Sequence, residues 1–409
     1  MARLVEMLNW KEPKQWEIRQ AAAEILVKLA SRKHKPLQVA GIPGIMESIS
    51  SLLFDSSGSA SGEISLRTSC FRPEHHDLLR VNLGLRLLKK LSCDHGSCEK
   101  IGNTRGLLPK IISFTYADER LLKDERTTPT QILVPKRSLQ VVKVLASTTG
   151  TTGKQLRKEI SDVVFTISNI RGMLQHGEKH QVLQLLSIAI LTILAAEEDG
   201  RELIGCTGNV IKELYNIYLK QGVPEYPNRV KVEAVEVLSM LTLKSTSNCH
   251  RILKLKVIEN LVLKYIFIGE DKLQEVMVGL AAQLFKFMTS QESSAVFERA
   301  GIQEAEFAGV LVWILRNNKY HPSVRCLTLR RFVVELAICL MRVEDTNIAT
   351  FKDLGMVEEL QSVVETTSQI ESFDTFSGTV GLSRHNMPIH SLVETAMELL
   401  NIWHYNMYI

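Results

Sequence analysis

The sequence predicts an all-α solenoid, a stack of helical units that bury one another's apolar faces. Three observations carry this. A long apolar-faced helix, Ile18 to Ala30, leads into the turn Ala40-Gly41-Ile42-Pro43-Gly44-Ile45 and a second apolar stretch that ends at Leu52-Leu53. Looser copies of that unit recur to the C-terminus, and a period of a few tens of residues marks a stacked repeat. The chain has 409 residues, beyond the ~250–300 at which one hydrophobic core stops growing.

In chain order, Leu4, Val5, Met7 and Leu8 form a short helix that ends near Trp10 to Pro13. It resembles the last helix of an earlier repeat. A solenoid needs a polar capping unit at each end, so the expectation is a fragment or short isoform of a longer protein. In Ile18 to Ala30, Ala22, Ile25, Leu26 and Leu29 step by three and four, which places one apolar stripe inward. Leu79 to Leu91 repeats this with Leu79, Leu83, Leu87, Leu88 and Leu91. Gln140 to Leu145, Val182 to Leu194, Val230 to Leu241, Leu273 to Met288 and Val324 to Leu340 continue the series. Most are apolar over more than half their circumference, so neighbours must flank them on both sides. Gln140 to Ala146 and Asn260 to Ile268 are rich in β-branched or aromatic residues. They read as helices because no hairpin partner flanks them. Ile389 to Tyr405 is the final helix, with a frayed end at Asn406 to Ile409.

Each long helix leads through a glycine hinge to a second helix. The later hinges centre on Gly102 and Gly106, Gly205 and Gly208, Gly301, and Gly355. Glycine suits such a turn because it needs positive φ or close backbone approach. Gly44 to Gly106 is 62 residues, Gly106 to Gly208 is 102, Gly208 to Gly301 is 93 and Gly301 to Gly355 is 54. The second and third spacings each hold two units. Most exceed the ~40–47 of a compact helical repeat, so loops are inserted. These loops fall at about 55–77, 117–136 and 366–388. Pro13, Pro43, Pro109, Pro322 and Pro388 sit at helix starts, and Pro36, Pro73, Pro129, Pro135, Pro224 and Pro227 in connectors. The whole reads as a single domain, 1–409.

Composition narrows the function classes. Apolar residues make up 45% and charged residues 23%, the usage of an ordinary globular protein. The net charge of +4 gives no overall footprint for nucleic acid or membrane. The seven cysteines are scattered and odd in number, which suits a reducing compartment. No Asn-x-Ser/Thr sequon occurs. Met1 to Trp10 is no signal peptide, because Glu6 and Trp10 interrupt any apolar core. The longest charge-free run, Gln181 to Ala196, is shorter than the ~20 residues of a membrane span. The expected location is intracellular and cytoplasmic, with nuclear or membrane-peripheral placement left open.

Arg19, Ala22, Leu26 and Leu29, the hinge at Gly41 to Ile45, and Leu52-Leu53 together resemble the armadillo repeat. Arg80 with Ile101-Gly102 and Gly106-Leu107 resembles a second copy, and Leu203-Ile204-Gly205 with Gly208 a third. The chain is also similar to armadillo-like plant proteins. The resemblance implies a right-handed superhelix of about seven degenerate repeats that binds protein partners along a concave groove.

Trp313-Ile314-Leu315-Arg316-Asn317 reads W-x-x-x-N. In nuclear-import adaptors this spacing recurs in successive repeats, where Trp packs on a bound lysine and Asn holds the peptide backbone. Here it occurs once. Trp313 and Asn317 are therefore the candidate partner-binding residues, against the plainer reading of a semi-buried tryptophan near a helix end. Cys93 and Cys98 make a C-x4-C pair near His75-His76-Asp77, but no second pair has structural zinc spacing. Gly150-Thr151-Thr152-Gly153-Lys154-Gln155 imitates a phosphate-binding loop with the wrong spacing and no Ser or Thr after Lys154. It reads as a flexible polar turn. Arg32 to Lys35 and Lys154 to Lys158 are basic clusters in connectors, and Lys89-Lys90 sits on a helix. Each reads as a solvated edge or a contact for acidic protein segments or lipid headgroups.

The expected function is a non-catalytic scaffold that binds an extended or helical protein segment along the groove, with no cofactor, metal or nucleic acid. Two other classes need upstream sequence. One is a membrane-associated regulatory protein with its anchor there; the other is the substrate-binding part of a ubiquitin ligase. Partner identity and oligomeric state are not written in the residues.

Overall fold

The computed structural model describes residues 1–10, 15–32, 35–53, 75–124, 126–129, 131–219, 228–255, 262–268, 272–319, 324–377 and 387–406. Among them the regular structure is helical throughout, with no strand. The chain divides into two compact units, Met1–Leu203 and Ile204–Ile409.

Unit 1 opens with α1 (Ala2–Leu8) and α2 (Trp16–Ala30). A triplet of short, middle and long helices then repeats. The first is α3 (Pro36–Ala40), α4 (Ile45–Leu53) and α5 (His75–Leu91). The second is α6 (His95–Asn103), α7 (Leu107–Ser113) and, after the small insert α8 (Glu119–Lys123), α9 (Leu133–Ala146). The third is α10 (Gly150–Asp162), α11 (Phe165–His176) and α12 (Gln181–Leu194). The chain leaves unit 1 within α13 (Glu198–Cys206). Unit 2 continues with α14 (Val210–Leu219) and α15 (Asn228–Thr242), then α16 (Thr246–Leu253), α17 (Leu263–Ile268) and α18 (Lys272–Phe285). It closes with α19 (Ser290–Ala300), α20 (Glu304–Asn317) and α21 (Val324–Val343), then α22 (Asp345–Asp353), α23 (Met356–Ser377) and α24 (Ile389–Asn406).

All seven expected long helices are present. In unit 1, α2 packs on α5, α5 on α9 and α9 on α12. In unit 2, α15 packs on α18, α18 on α21 and α21 on α24. The units are triplets rather than pairs, because a short helix precedes each hinge. Three of these short helices, α6, α16 and α19, are polar and start on side-chain caps. Asp94 accepts from the Ser97 amide at 2.9 Å, Ser245 from Asn248 at 3.1 Å, and Thr289 forms a capping box with Glu292.

The hinges that hold two glycines place two demands on the backbone. Gly106, at φ +73°, takes the left-handed turn before α7, as Gly44 and Gly355 do before α4 and α23. Before α14 that position belongs to Asn209 at φ 68°, not to Gly208. Asparagine tolerates this region where most side chains do not. The other glycine of the pair permits close approach. A Cβ on Gly102 would sit 2.6 Å from Leu156 Cδ2, and one on Gly205 would overlap the Asn248 side chain.

The short helices also close the ends of the long ones. Arg157 donates to the Ala146 carbonyl at 3.1 Å and Arg201 to Ala195 at 3.0 Å. Asn248 donates to Leu241 at 3.0 Å and Asn347 to Leu340 at 3.2 Å. Each bond satisfies a carbonyl that the last helical turn leaves open.

Several expectations about connectors need revision. The 55–77 loop lies outside the described residues up to 74, and α5 begins at His75. The 117–136 loop is interrupted by α8, and α9 already starts at Leu133 with Pro135 in its first turn, where the missing N–H costs nothing. Pro36 likewise opens α3. The 366–388 loop is helical as far as Ser377, one residue before the first breaker, Gly378. Lys154 to Lys158 lie on α10, not in a connector. The two strand-like segments are helices where described, in α9 and in α17.

Candidate functional site

The long helices of unit 1 share one burial pattern, and it defines a common open face. Arg19, Ala23, Leu26, Val27 and Ala30 are buried on α2. Arg80, Gly84, Leu87, Leu88 and Leu91 take the same spacing on α5. Val134, Ser138, Val141, Val142 and Leu145 do so on α9, and Leu183, Ser187, Ile190, Leu191 and Leu194 on α12. Arg19 and Arg80 are close enough for their charges to repel, so the first buried positions of α2 and α5 adjoin.

One position before each stripe lies an aliphatic residue: Ile18 at 44% exposure, Leu79 at 38%, the half-buried Leu133, and Val182 at 48%. Ten positions further along stand Lys28, Lys89, Lys143 and Thr192. Between the two rows are Ala21 and Ile25 on α2, Asn82 and Arg86 on α5, Lys136 and Gln140 on α9, and Leu185 and Ala189 on α12.

The centre of this face is basic. Lys89 Nζ donates to Gln140 Oε1 at 2.7 Å. Arg137 donates to the Asn82 carbonyl at 3.2 Å and also to the Asn82 side-chain oxygen. Burial first, and then the charge of Arg86, hold the Arg137 guanidinium down to about 10. Burial also lowers Lys89, with repulsion from Lys90, Arg137 and Lys136 added to it. Neither α5 from Leu78 onward nor α9 contains a carboxylate. Among the described residues, Arg86, Lys89, Lys90, Lys136, Arg137 and Lys143 form no ion pair with one.

The equivalent face of unit 2 is filled and neutralised. Lys272 pairs with Glu236 at 3.4 Å, Arg229 with Glu233 at 2.8 Å, and Lys286 and Arg331 both with Glu335 at 3.2 Å. Phe332 lies over Gly279, where a Cβ would come within 2.8 Å of the ring. The open chemistry is therefore concentrated on unit 1.

Trp313 and Asn317 stand four residues apart on one exposed face of α20, with Trp313 at 43% exposure. They belong to α20, a middle helix, and not to the long helices that carry the open face of unit 1. Cys93 is exposed and Cys98 is buried, with its thiol donating to the Ser92 carbonyl at 3.1 Å. The side chains of His75, His76 and Asp77 lie outside the described residues. Gly150 to Gln155 is not a flexible turn but the first turn of α10. There Gly153 leaves room for the Thr148 carbonyl, to which Arg157 donates at 3.0 Å. No helix among the described residues is long and apolar enough to cross a membrane.

The fold and its repeating face are those of a stacked helical repeat, all-α throughout the described residues. Among solved structures, an engineered protein is similar over 69% of this chain and 97% of its own, at 15% identity and a TM-score of 0.50. A designed armadillo repeat protein gives 0.49 at 12% identity, over 72% of this chain and 100% of its own. A second designed armadillo repeat protein, in complex with peptide (KR)4, gives 0.48 at 10% identity, over 72% and 99%. No family model matches the chain, and no curated protein matches it in sequence.

Proposed function

We propose that this protein is a non-catalytic scaffold that takes an extended or helical segment of a protein partner along the open face of its long helices. The observation that supports this most is the contrast between units. On the unit 1 face an exposed aliphatic row stands beside cations that pair with no carboxylate among the described residues, whereas on the unit 2 face Lys272, Lys286 and Arg331 pair with Glu236 and Glu335. Open positions on the unit 1 face offer aliphatic, amide, ammonium and guanidinium groups, which bind rather than react. On this reading Trp313 and Asn317 contribute nothing to that face.

The test is affinity capture with the intact chain, repeated after the paired reversal Arg86→Glu and Lys143→Glu. Partners should be lost on reversal, while circular dichroism keeps its helical signal. Retention of every partner would refute binding at this face.

A further inference from the structure

We propose that the segment accepted by unit 1 is an extended peptide strand with acidic residues along one edge and aliphatic residues along the other. It rests on the scaffold reading above and adds the chemistry of the partner.

The two outer rows lie ten positions apart on each helix, which is ~15 Å at 1.5 Å per residue. That width accommodates one extended backbone with side chains reaching to both sides. In a strand, successive side chains point to opposite sides, so alternating acidic and apolar residues would meet the two rows. Neighbouring packed helices lie ~8–10 Å apart. The three steps from α2 to α12 then span roughly 24–30 Å, or about seven to nine extended residues at ~3.3 Å each.

The central amides favour a peptide backbone. Gln140 receives the Lys89 proton donor through its oxygen, and Asn82 receives Arg137 in the same way. The cations thus fix which way each amide points. Asn82 Nδ2 and Gln140 Nε2 have no protein acceptor among the described residues. They are left as N–H donors on the open face, suited to peptide carbonyls.

Electrostatics set the sign. Arg86, Lys89, Lys136 and Arg137 crowd together without a carboxylate, and their mutual repulsion adds to the burial that chiefly lowers Lys89 and Arg137. A row of carboxylates would relieve it. A nucleic acid fits less well. None of the sixteen positions in the four rows is aromatic, so no ring is offered for base stacking.

The probes are fluorescein-labelled peptides of about ten residues, a length set by the strand arithmetic. One alternates glutamate with leucine, one lysine with leucine, and one glutamate with serine. Anisotropy with the intact chain should show the Glu–Leu peptide binding tightest, and more weakly as salt rises. Arg86→Gln with Lys143→Gln should weaken it about tenfold, and the Glu reversals by more. Leu79→Ser with Val182→Ser should also weaken it about tenfold, and should remove the preference over Glu–Ser. The neutral Gln pair guards against loss through misfolding. Equal affinity for the Lys–Leu peptide, or unchanged Glu–Leu binding in both variant pairs, would overturn the proposal. Lys–Leu binding that is lost with Leu79→Ser and Val182→Ser would overturn the acidic partner yet keep the scaffold. No binding by any peptide would count against both. Tighter binding of phosphatidylserine vesicles or a single-stranded oligoribonucleotide, abolished by the same charge changes, would replace the peptide with that partner.

Discussion

Lys89 on α5 donates to Gln140 on α9 at 2.7 Å, across 51 residues of sequence. The bond joins two neighbouring repeats at the middle of the open face. It satisfies one of three ammonium protons and leaves the positive charge unneutralised. Gln140→Leu removes the acceptor while Lys90, Arg137 and Lys136 still repel Lys89. Denaturant unfolding should show a loss of about 1 kcal/mol, the order expected for one partly exposed hydrogen bond to a charged group. An unchanged midpoint would mean that the bond contributes nothing.

Gly205 and Gly106 should respond differently to alanine. At Gly205 the added methyl overlaps Asn248, whose side chain holds the end of α15 through the Leu241 carbonyl. Overpacking of this kind costs roughly 1–3 kcal/mol. Gly106 has open space around it, so only its positive φ is strained, at about 1 kcal/mol. Asn209→Gly should be tolerated, since its φ of 68° already suits glycine. Unfolding curves in urea for the three variants check this order, and Gly205→Ala as mild as Asn209→Gly would contradict it.

Arg157 binds two carbonyls at the end of α9, Ala146 and Thr148, and pairs with Glu197 at 2.8 Å. Arg157→Ala leaves these acceptors open and should cost roughly 1–3 kcal/mol. Arg157→Lys should recover little, because an ammonium cannot reproduce the fork that spans three acceptors. Thermal unfolding of both variants distinguishes shape from charge. Full rescue by lysine would show that charge alone suffices.

Cysteine reactivity should divide by burial. Cys93 and Cys206 are exposed, whereas Cys98, Cys249 and Cys339 are buried. Burial raises the Cys98 thiol and pushes Cys339 up to about 11. Iodoacetamide labelling of the native chain, read by peptide mass spectrometry, should modify Cys93 and Cys206 first. Rapid labelling of Cys339 would contradict its burial. The same shift has a sign for stability. The folded Cys339 keeps its proton from the ordinary value of 9 up to about 11, while the unfolded thiol loses it. Its contribution therefore falls as pH rises through that window, and Cys339→Ala should flatten that part of the pH–stability curve.

The long helices were legible because their burial is periodic. Leu87, Leu88 and Leu91, or Ile190, Leu191 and Leu194, mark the same stripe in residues and in space. Gly44, Gly106, Gly301 and Gly355 were legible as turns because positive φ strongly favours glycine. Asn209 was hidden by its glycine neighbour. The short helices α6, α16 and α19 escaped notice because they are polar and held by caps, not by an apolar stripe. The basic centre was unreadable in one dimension. Lys89-Lys90 reads as a solvated pair, Lys136 closes the expected loop, and Gln140 opens the expected helix after it. Only the packing of α5 on α9 joins them.

Binding along the long helices of unit 1 is tested most directly by lysine-reactive cross-linking of the intact chain with its captured partners, mapped by mass spectrometry. The expected result is intermolecular cross-links at Lys28, Lys90, Lys136 and Lys143. Cross-links concentrated at Lys154, Lys158 and Lys212, with those four lysines unmodified by partners, would contradict it.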